Sequence, residues 1–352
     1  DFYDIMVLIG TGSFGKVYKV KNKETNEILA MKEISYGQMK DKEKQLLVSE
    51  VNLMKRLKHP SIVRYVEKFQ DKERQIIYII MEYCGAGDLQ KYLKLQLQQR
   101  KYMAEDKVWS VFLQMLSAVD YCHNPPSDVD LQGKVLNRDI KPANVFFTDS
   151  ARIKLGDFGL SRQLGDDQLA QTNVGTPLYM APELLLKQSY TEKVDIWSLG
   201  CILYEMCALT GPFTASSLES LKAKVMAGKR QPIPPQYSGD MRETIELMLQ
   251  HDPAKRLGTR QLMELPWISG MLKSVSAEDS AGFLPPLHPK VQNLDFPQKL
   301  QEVEEAGGRN LSEAALLERE KTLIRAELDL AGKEQMAQLR CRQLGIKYEE
   351  IM

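Results

Sequence analysis

Val135-Leu136-Asn137-Arg138-Asp139-Ile140-Lys141-Pro142-Ala143-Asn144-Val145 decides how the rest of this chain is read. Within it, Asp139 can accept the proton of an attacking hydroxyl. Lys141 can neutralise charge on a phosphoryl group in transit, and Asn144 can bind Mg2+ through its amide oxygen. Thirteen residues after Asn144, Asp157-Phe158-Gly159 offers a carboxylate as a second metal ligand. A hard cation already bound to phosphates takes only one or two protein oxygens, so this pair suffices.

Working outward, Ile9-Gly10-Thr11-Gly12-Ser13-Phe14-Gly15-Lys16-Val17 lies between two runs that alternate like strands. Glycines let such a hairpin close over phosphates, because backbone amides can approach where no Cβ intervenes. A glycine pattern of this kind followed by a helix would instead point to a dinucleotide site, and here a strand follows. Seventeen positions after Gly15, Lys32 in Ala30-Met31-Lys32 can reach phosphates as a fixed point charge, with Glu50 on the next helix to hold it. Taken singly, Lys32 reads as a surface lysine and Glu50 as a solvated helix face. Ala181-Pro182-Glu183 closes the segment that contains Thr172 and Thr176.

In this order the blocks resemble the eukaryotic protein kinase signature set, over about residues 1–268. Leu47–Met54, His59–Tyr65, Met81–Cys84, the insert at Asn124–Lys134 and Ser198–Cys201 resemble the NIMA-related (Nek) family within it. The resemblance implies ATP and Mg2+ as cofactors and protein serine or threonine hydroxyls as substrates. It also implies that Lys32 and Glu50 form an ion pair and that Ile9, Val17, Ala30 and Phe146 sandwich adenine. Met81 would lie behind the base, with the backbone of Glu82 and Cys84 along its edge. Asp195 would brace the catalytic loop, and Glu183 would pair with Arg256. Lys141 with Gly175-Thr176-Pro177 resembles the serine/threonine pattern rather than the tyrosine one. Thr176 would order the substrate-facing loop, and Thr172 is the expected activating phosphosite, its phosphate meeting Arg138.

Two positions depart from a plain reading. Asn137 stands where the family usually has histidine; it can keep a hydrogen bond but loses ring contact with Phe158, a change of about 0.5–1.5 kcal/mol. Reduced or more tightly regulated activity is expected from it, and it motivates the alternative of a catalytically weak pseudokinase scaffold acting through its tail. Tyr65 either belongs to the core column that links the lobes or swings into the cleft between Glu50 and Lys32.

The remainder of the sequence sets the frame. At 352 residues, with 43% hydrophobic and 27% charged residues, the chain has an ordinary globular composition. Lys plus Arg equals Asp plus Glu at 47 each, which argues against a broad nucleic-acid or anionic-membrane surface. Five cysteines with no C-x-x-C pair favour neither a zinc ribbon nor a disulfide framework and suit a reducing, cytoplasmic setting. The family resemblance adds cytoskeletal or nuclear association as an expectation. No basic-then-apolar leader opens the chain, and Asp1 is not a natural start, so the numbering is expected to begin inside a longer protein. The apolar run Trp197–Phe213, interrupted by Glu205 and ended by Gly211-Pro212, reads as a buried helix.

Short alternating runs at Ile5–Ile9, Lys16–Val20, Ile28–Ile34, Ile62–Phe69 and Gln75–Ile80 predict a five-stranded antiparallel sheet, with one helix at about Lys42–Leu57. From Asp88 to about Leu265 the pattern is mainly helical, clearest at Met103–His123, Thr191–Ala208 and Leu218–Gly228. The expectation is an α+β, bilobal kinase fold over 1–268, with an N-lobe at 1–83 and a C-lobe at 84–268. A Pro- and Ser-containing linker is expected at 269–299, followed by a charged helical tail at 300–352. In that tail Leu316, Leu323 and Leu330 lie seven apart, while Glu313, Glu320 and Glu327 occupy the other seam. The stripe suits either a coiled coil, giving a homodimer, or a single helix lying on another surface.

Overall fold

Strand alternation and helical spacing in the first 82 residues sort side chains onto the two faces of one sheet. The structure, a computed structural model, describes residues 2–12, 15–127, 133–150, 152–156 and 177–278, with side chains to 273. Strands β1 (Tyr3–Gly12), β2 (Gly15–Asn22), β3 (Ile28–Ser35), β4 (Tyr65–Asp71) and β5 (Ile76–Glu82) form an antiparallel sheet in the order β1-β2-β3-β5-β4. With a period of two, Leu29 and Met31 join Val20 and Ile80 in one apolar cluster. Ala30, Lys32 and Ile34 therefore point to the opposite face. There Ile34, Ile77 and Ile79 pack against Leu47, Val51 and Met54 of helix α1 (Asp41–Arg56). Glu43 caps that helix by accepting the Lys40 amide at 2.6 Å, and its acidic first turn and basic last turn suit the helix dipole.

The fourth strand starts later than its sequence suggests. Ile62 leaves the sheet for a bridge to Leu155, and the Val63 amide donates to the Leu155 carbonyl at 2.9 Å. Those backbone groups are committed to the other lobe, so pairing with β5 begins only at Tyr65.

Helices α2 (Leu89–Gln98), α3 (Glu105–His123), α4 (Pro182–Leu185), α5 (Lys193–Ala208), α6 (Leu218–Ala227), α7 (Gly239–Met248), α8 (Thr259–Met263) and α9 (Pro266–Glu278) build the second lobe. A small ladder of β6 (Val145–Phe147) and β7 (Ile153–Leu155) sits in this region, which the sequence presented as mainly helical. Three residues are too few for alternation to be visible. The apolar run from Trp197 is indeed a buried helix: α5 is covered on nearly every side. The last helix runs to Glu278, ten residues into the stretch expected to be linker; Ser and Ala there are compatible with helix, and the first proline lies at 285. All described residues fall in one unit, Asp1–Leu294, and the tail from 300 lies outside the described residues. Among the described residues no helix is long and apolar enough to cross a membrane.

Candidate active site

The face of the sheet that carries Ala30 and Lys32 forms the roof of a cleft. Ile9, Val17, Ala30, Met81, Glu82, Cys84 and Phe146, expected around adenine, and Lys32, expected at the phosphates, line one cavity of about 140 Å3. Gly156, one residue before the expected metal ligand Asp157, lines the cavity too. Met54, Leu57, Ile62, Val63, Tyr83 and Leu155 complete the lining without having been assigned to it. Their apolar character reads equally well as core, so only the fold distinguishes them.

The glycine hairpin is the turn between β1 and β2, closed by the Gly12–Gly15 pair. Gly15 has φ +144°, and a Cβ there would lie 1.7 Å from the Glu33 carbonyl oxygen, so only glycine lets the hairpin approach β3. Gly10 and Thr11 belong to β1. Ser13 and Phe14, at the tip, lie outside the described residues. Lys32 and Glu50 are 9% and 4% exposed, on the strand and helix that share one apolar cluster. Burial excludes the surface reading of both, since a lone buried charge is costly.

At the hinge, the Glu82 amide is donated to the Arg64 carbonyl at 2.9 Å, so the edge pairing expected of Glu82 falls to its carbonyl. Its carboxylate takes Lys154 of β7 at 2.8 Å and the Arg64 amide at 2.6 Å. Burial, with the Glu82 carboxylate beside it, pushes the Cys84 thiol up to about 12, which favours the protonated form.

The catalytic loop hangs from Asp195 at the start of α5. One Asp195 oxygen accepts the Asn137 amide at 2.9 Å and His123 Nε2 at 2.8 Å; the other accepts the Arg138 amide at 2.8 Å. Asp139 Oδ2 accepts Lys141 Nζ at 2.7 Å and Asn144 Nδ2 at 2.8 Å. Because the nitrogen of the Asn144 amide is turned to Asp139, its oxygen is the atom that can meet a hard cation. The Asn144 carbonyl accepts the Gly156 amide at 2.9 Å, which ties the loop to the cleft floor one residue before Asp157. Glu183 and Arg256 form the expected ion pair at 2.7 Å, with Arg256 fully buried. The Arg138 guanidinium lies 4.7 Å over the Tyr190 ring. Tyr65 packs on the cluster shared by α1 and the sheet, and it is not among the residues lining the cavity. Asp157, Phe158, Thr172 and Thr176 lie outside the described residues. Among the described residues, no group of three or more His, Cys, Asp or Glu could hold a metal.

Two lobes, a glycine hairpin over an apolar slot and a proton acceptor flanked by a lysine and an amide define the protein kinase class of fold and site. The family pattern described as "Protein kinase domain" matches residues 3–268. A probable serine/threonine-protein kinase nek2 of Dictyostelium discoideum is 44% identical over 78% of this chain and 64% of its own length. Serine/threonine-protein kinase Nek2 of Homo sapiens is 42% identical over 91% of this chain and 70% of its own. The G2-specific protein kinase nimA of Emericella nidulans is 37% identical over 94% of this chain and 48% of its own. The chain belongs to the NIMA-related serine/threonine branch of the protein kinase family.

Proposed function

We propose that this chain transfers the γ-phosphoryl group of ATP to serine or threonine hydroxyls of proteins. The observation that carries this reading is the Asp139 carboxylate, held by Lys141 and Asn144 on a loop tied through Gly156 to the apolar slot. The slot fits a planar base: Val17, Ala30 and Phe146 give it apolar walls, and polar hinge backbone lies at one edge. In the reaction the hydroxyl oxygen bonds to the γ-phosphorus, the bond to the bridging oxygen of the β-phosphate breaks, and ADP leaves. The hydroxyl proton passes to Asp139, while Lys141 offsets negative charge on the phosphoryl oxygens. Lys32, steadied by Glu50, is assigned to the α- and β-phosphates. Asn144 and Asp157 would hold Mg2+, which supplies charge neutralisation at the phosphates.

Phosphorylation of Thr172, with Arg138 as its partner, is the proposed regulation, and Thr176 is proposed to order the substrate-facing loop. The charged tail is proposed to bring two copies together, raising the local concentration for mutual phosphorylation. The test is incubation of the purified chain with radiolabelled Mg-ATP and a generic acceptor protein, followed by mass spectrometry. Incorporation on Ser or Thr is expected, and Asp139→Asn should lower it about 10²–10⁴-fold. Nucleotide uptake without any transfer would make the chain a scaffold instead.

A further inference from the structure

Asn137, which in sequence looks like the loss of a histidine, makes a contact of its own. It is buried, 3% exposed, and its side-chain Oδ1 accepts the backbone amide of Asp139 at 3.0 Å. A side-chain oxygen that accepts the amide two residues on closes an Asx turn, in which that oxygen replaces the carbonyl of a backbone turn. The residue enclosed by this turn is Arg138, whose φ is +65°. In turn geometry Arg138 occupies the third place, where a positive φ usually calls for glycine. A long side chain there needs outside support, and it has two supports. The Arg138 amide is fixed by Asp195 Oδ1 on one side, and the peptide that follows is fixed by Asn137 Oδ1 on the other.

We propose that Asn137 is a positioning residue for phosphoryl transfer. Its carboxamide oxygen locks the backbone of Asp139, so that the carboxylate engaged by Lys141 and Asn144 meets the substrate hydroxyl in one orientation. A direct line of bonds then runs from the floor of the large lobe to the proton acceptor: Asp195 to the Asn137 amide, and Asn137 Oδ1 to the Asp139 amide. Asparagine at this position is therefore a second way to hold the base, in place of ring packing. The proposal rests on the kinase reading above.

The test compares Asn137→Ala with Asn137→Ser, which differ by one oxygen. The Ser hydroxyl can accept the Asp139 amide in the same turn, and Ala cannot. Expected is a fall in kcat of tenfold or more for Ala, with Ser within about threefold of the unaltered chain. The KM for ATP should stay within twofold in both. Amide hydrogen exchange at Asp139 should be fast in Ala and protected in Ser and in the unaltered chain. Equal kcat in Ala and Ser, whether both high or both low, overturns the proposal, as does a loss that appears in the KM for ATP instead. Exchange at Asp139 reads the turn without any turnover. A protected amide in a chain that transfers no phosphate would refute the kinase reading, and the positioning role with it, while leaving the turn in place.

Discussion

Gly156 is where the smallest side chain does the most for the cleft. A Cβ added there would come within 2.5 Å of Phe146 Cε2 and 3.1 Å of Cδ2, with Val63 Cγ2 at 3.5 Å behind. Overpacking of this kind costs about 1–3 kcal/mol when neighbours cannot move. Phe146 can move, but only into the slot it lines, because its backbone is held in the β6–β7 ladder. Gly156→Ala is therefore expected to raise the KM for ATP at least tenfold, with kcat at saturating ATP changing much less and Tm falling only slightly. Steady-state kinetics with a melting curve will check it. An unchanged KM would mean that Phe146 is not a wall of the nucleotide site. The sequence shows Gly156 next to Asp157 and so hints at a tight turn; which ring the glycine makes room for becomes visible only with Phe146 in place.

Helix α1 is the element whose seat governs Lys32 and Glu50, and Tyr65 is part of that seat. The Tyr65 ring packs against the cluster formed by Ile34, Leu47, Val51, Met54, Ile77 and Ile79. In this conformation it is a core residue, and removing it opens a gap beneath the helix that carries Glu50. Tyr65→Ala is expected to cost about 2 kcal/mol, less than a fully buried aromatic would, and to lower activity along with Tm. Raised basal activity in this variant would favour the other role, a ring that swings between Glu50 and Lys32. The strands flanking this helix were readable from alternation, and the helix from its apolar spacing at Leu47, Val51 and Met54. What alternation could not reveal was the late start of β4, since Ile62 and Val63 look like strand residues whichever lobe they bond to. The hinge role of Lys154 was equally hidden: a lysine in a three-residue strand carries no signal until Glu82 is seen 2.8 Å away. The site residues were readable because spacing along the chain fixes which groups can share a loop. The lining supplied by Met54, Leu57 and Leu155 was not, because apolar residues of cleft and core are chemically alike.

The two lobes are joined through the stretch from His59 to Val63, and that junction carries a titratable group. His59 Nδ1 accepts the Ser61 amide at 3.1 Å, and Nε2 lies 3.2 Å from Ser117 Oγ on α3. The Ser61 carbonyl in turn accepts the Leu155 amide at 2.8 Å, and the Val63 amide returns to the Leu155 carbonyl. A neutral imidazole suits this arrangement, with Nδ1 as acceptor. Protonation would set an N–H against the Ser61 N–H. Burial, with the Lys154 charge adding to it against a smaller opposing effect of Asp120, pushes His59 down to about 4. Its ordinary value is about 6.5, so between pH 6.5 and 4 the unfolded chain binds the proton that the folded chain refuses. Stability linked to this group is fully present above pH 6.5, falls as pH drops through that window and is gone below about 4. Its size is on the order of 3 kcal/mol, from 1.36 kcal/mol per unit of pKa difference. His59→Asn removes the titration while leaving a side-chain oxygen able to accept the Ser61 amide. Urea unfolding at pH 7 and pH 4.5 is expected to show a clearly smaller loss for His59→Asn than for the unaltered chain. Equal losses in the two proteins would place the acid sensitivity elsewhere and leave His59 a packing residue at the lobe junction.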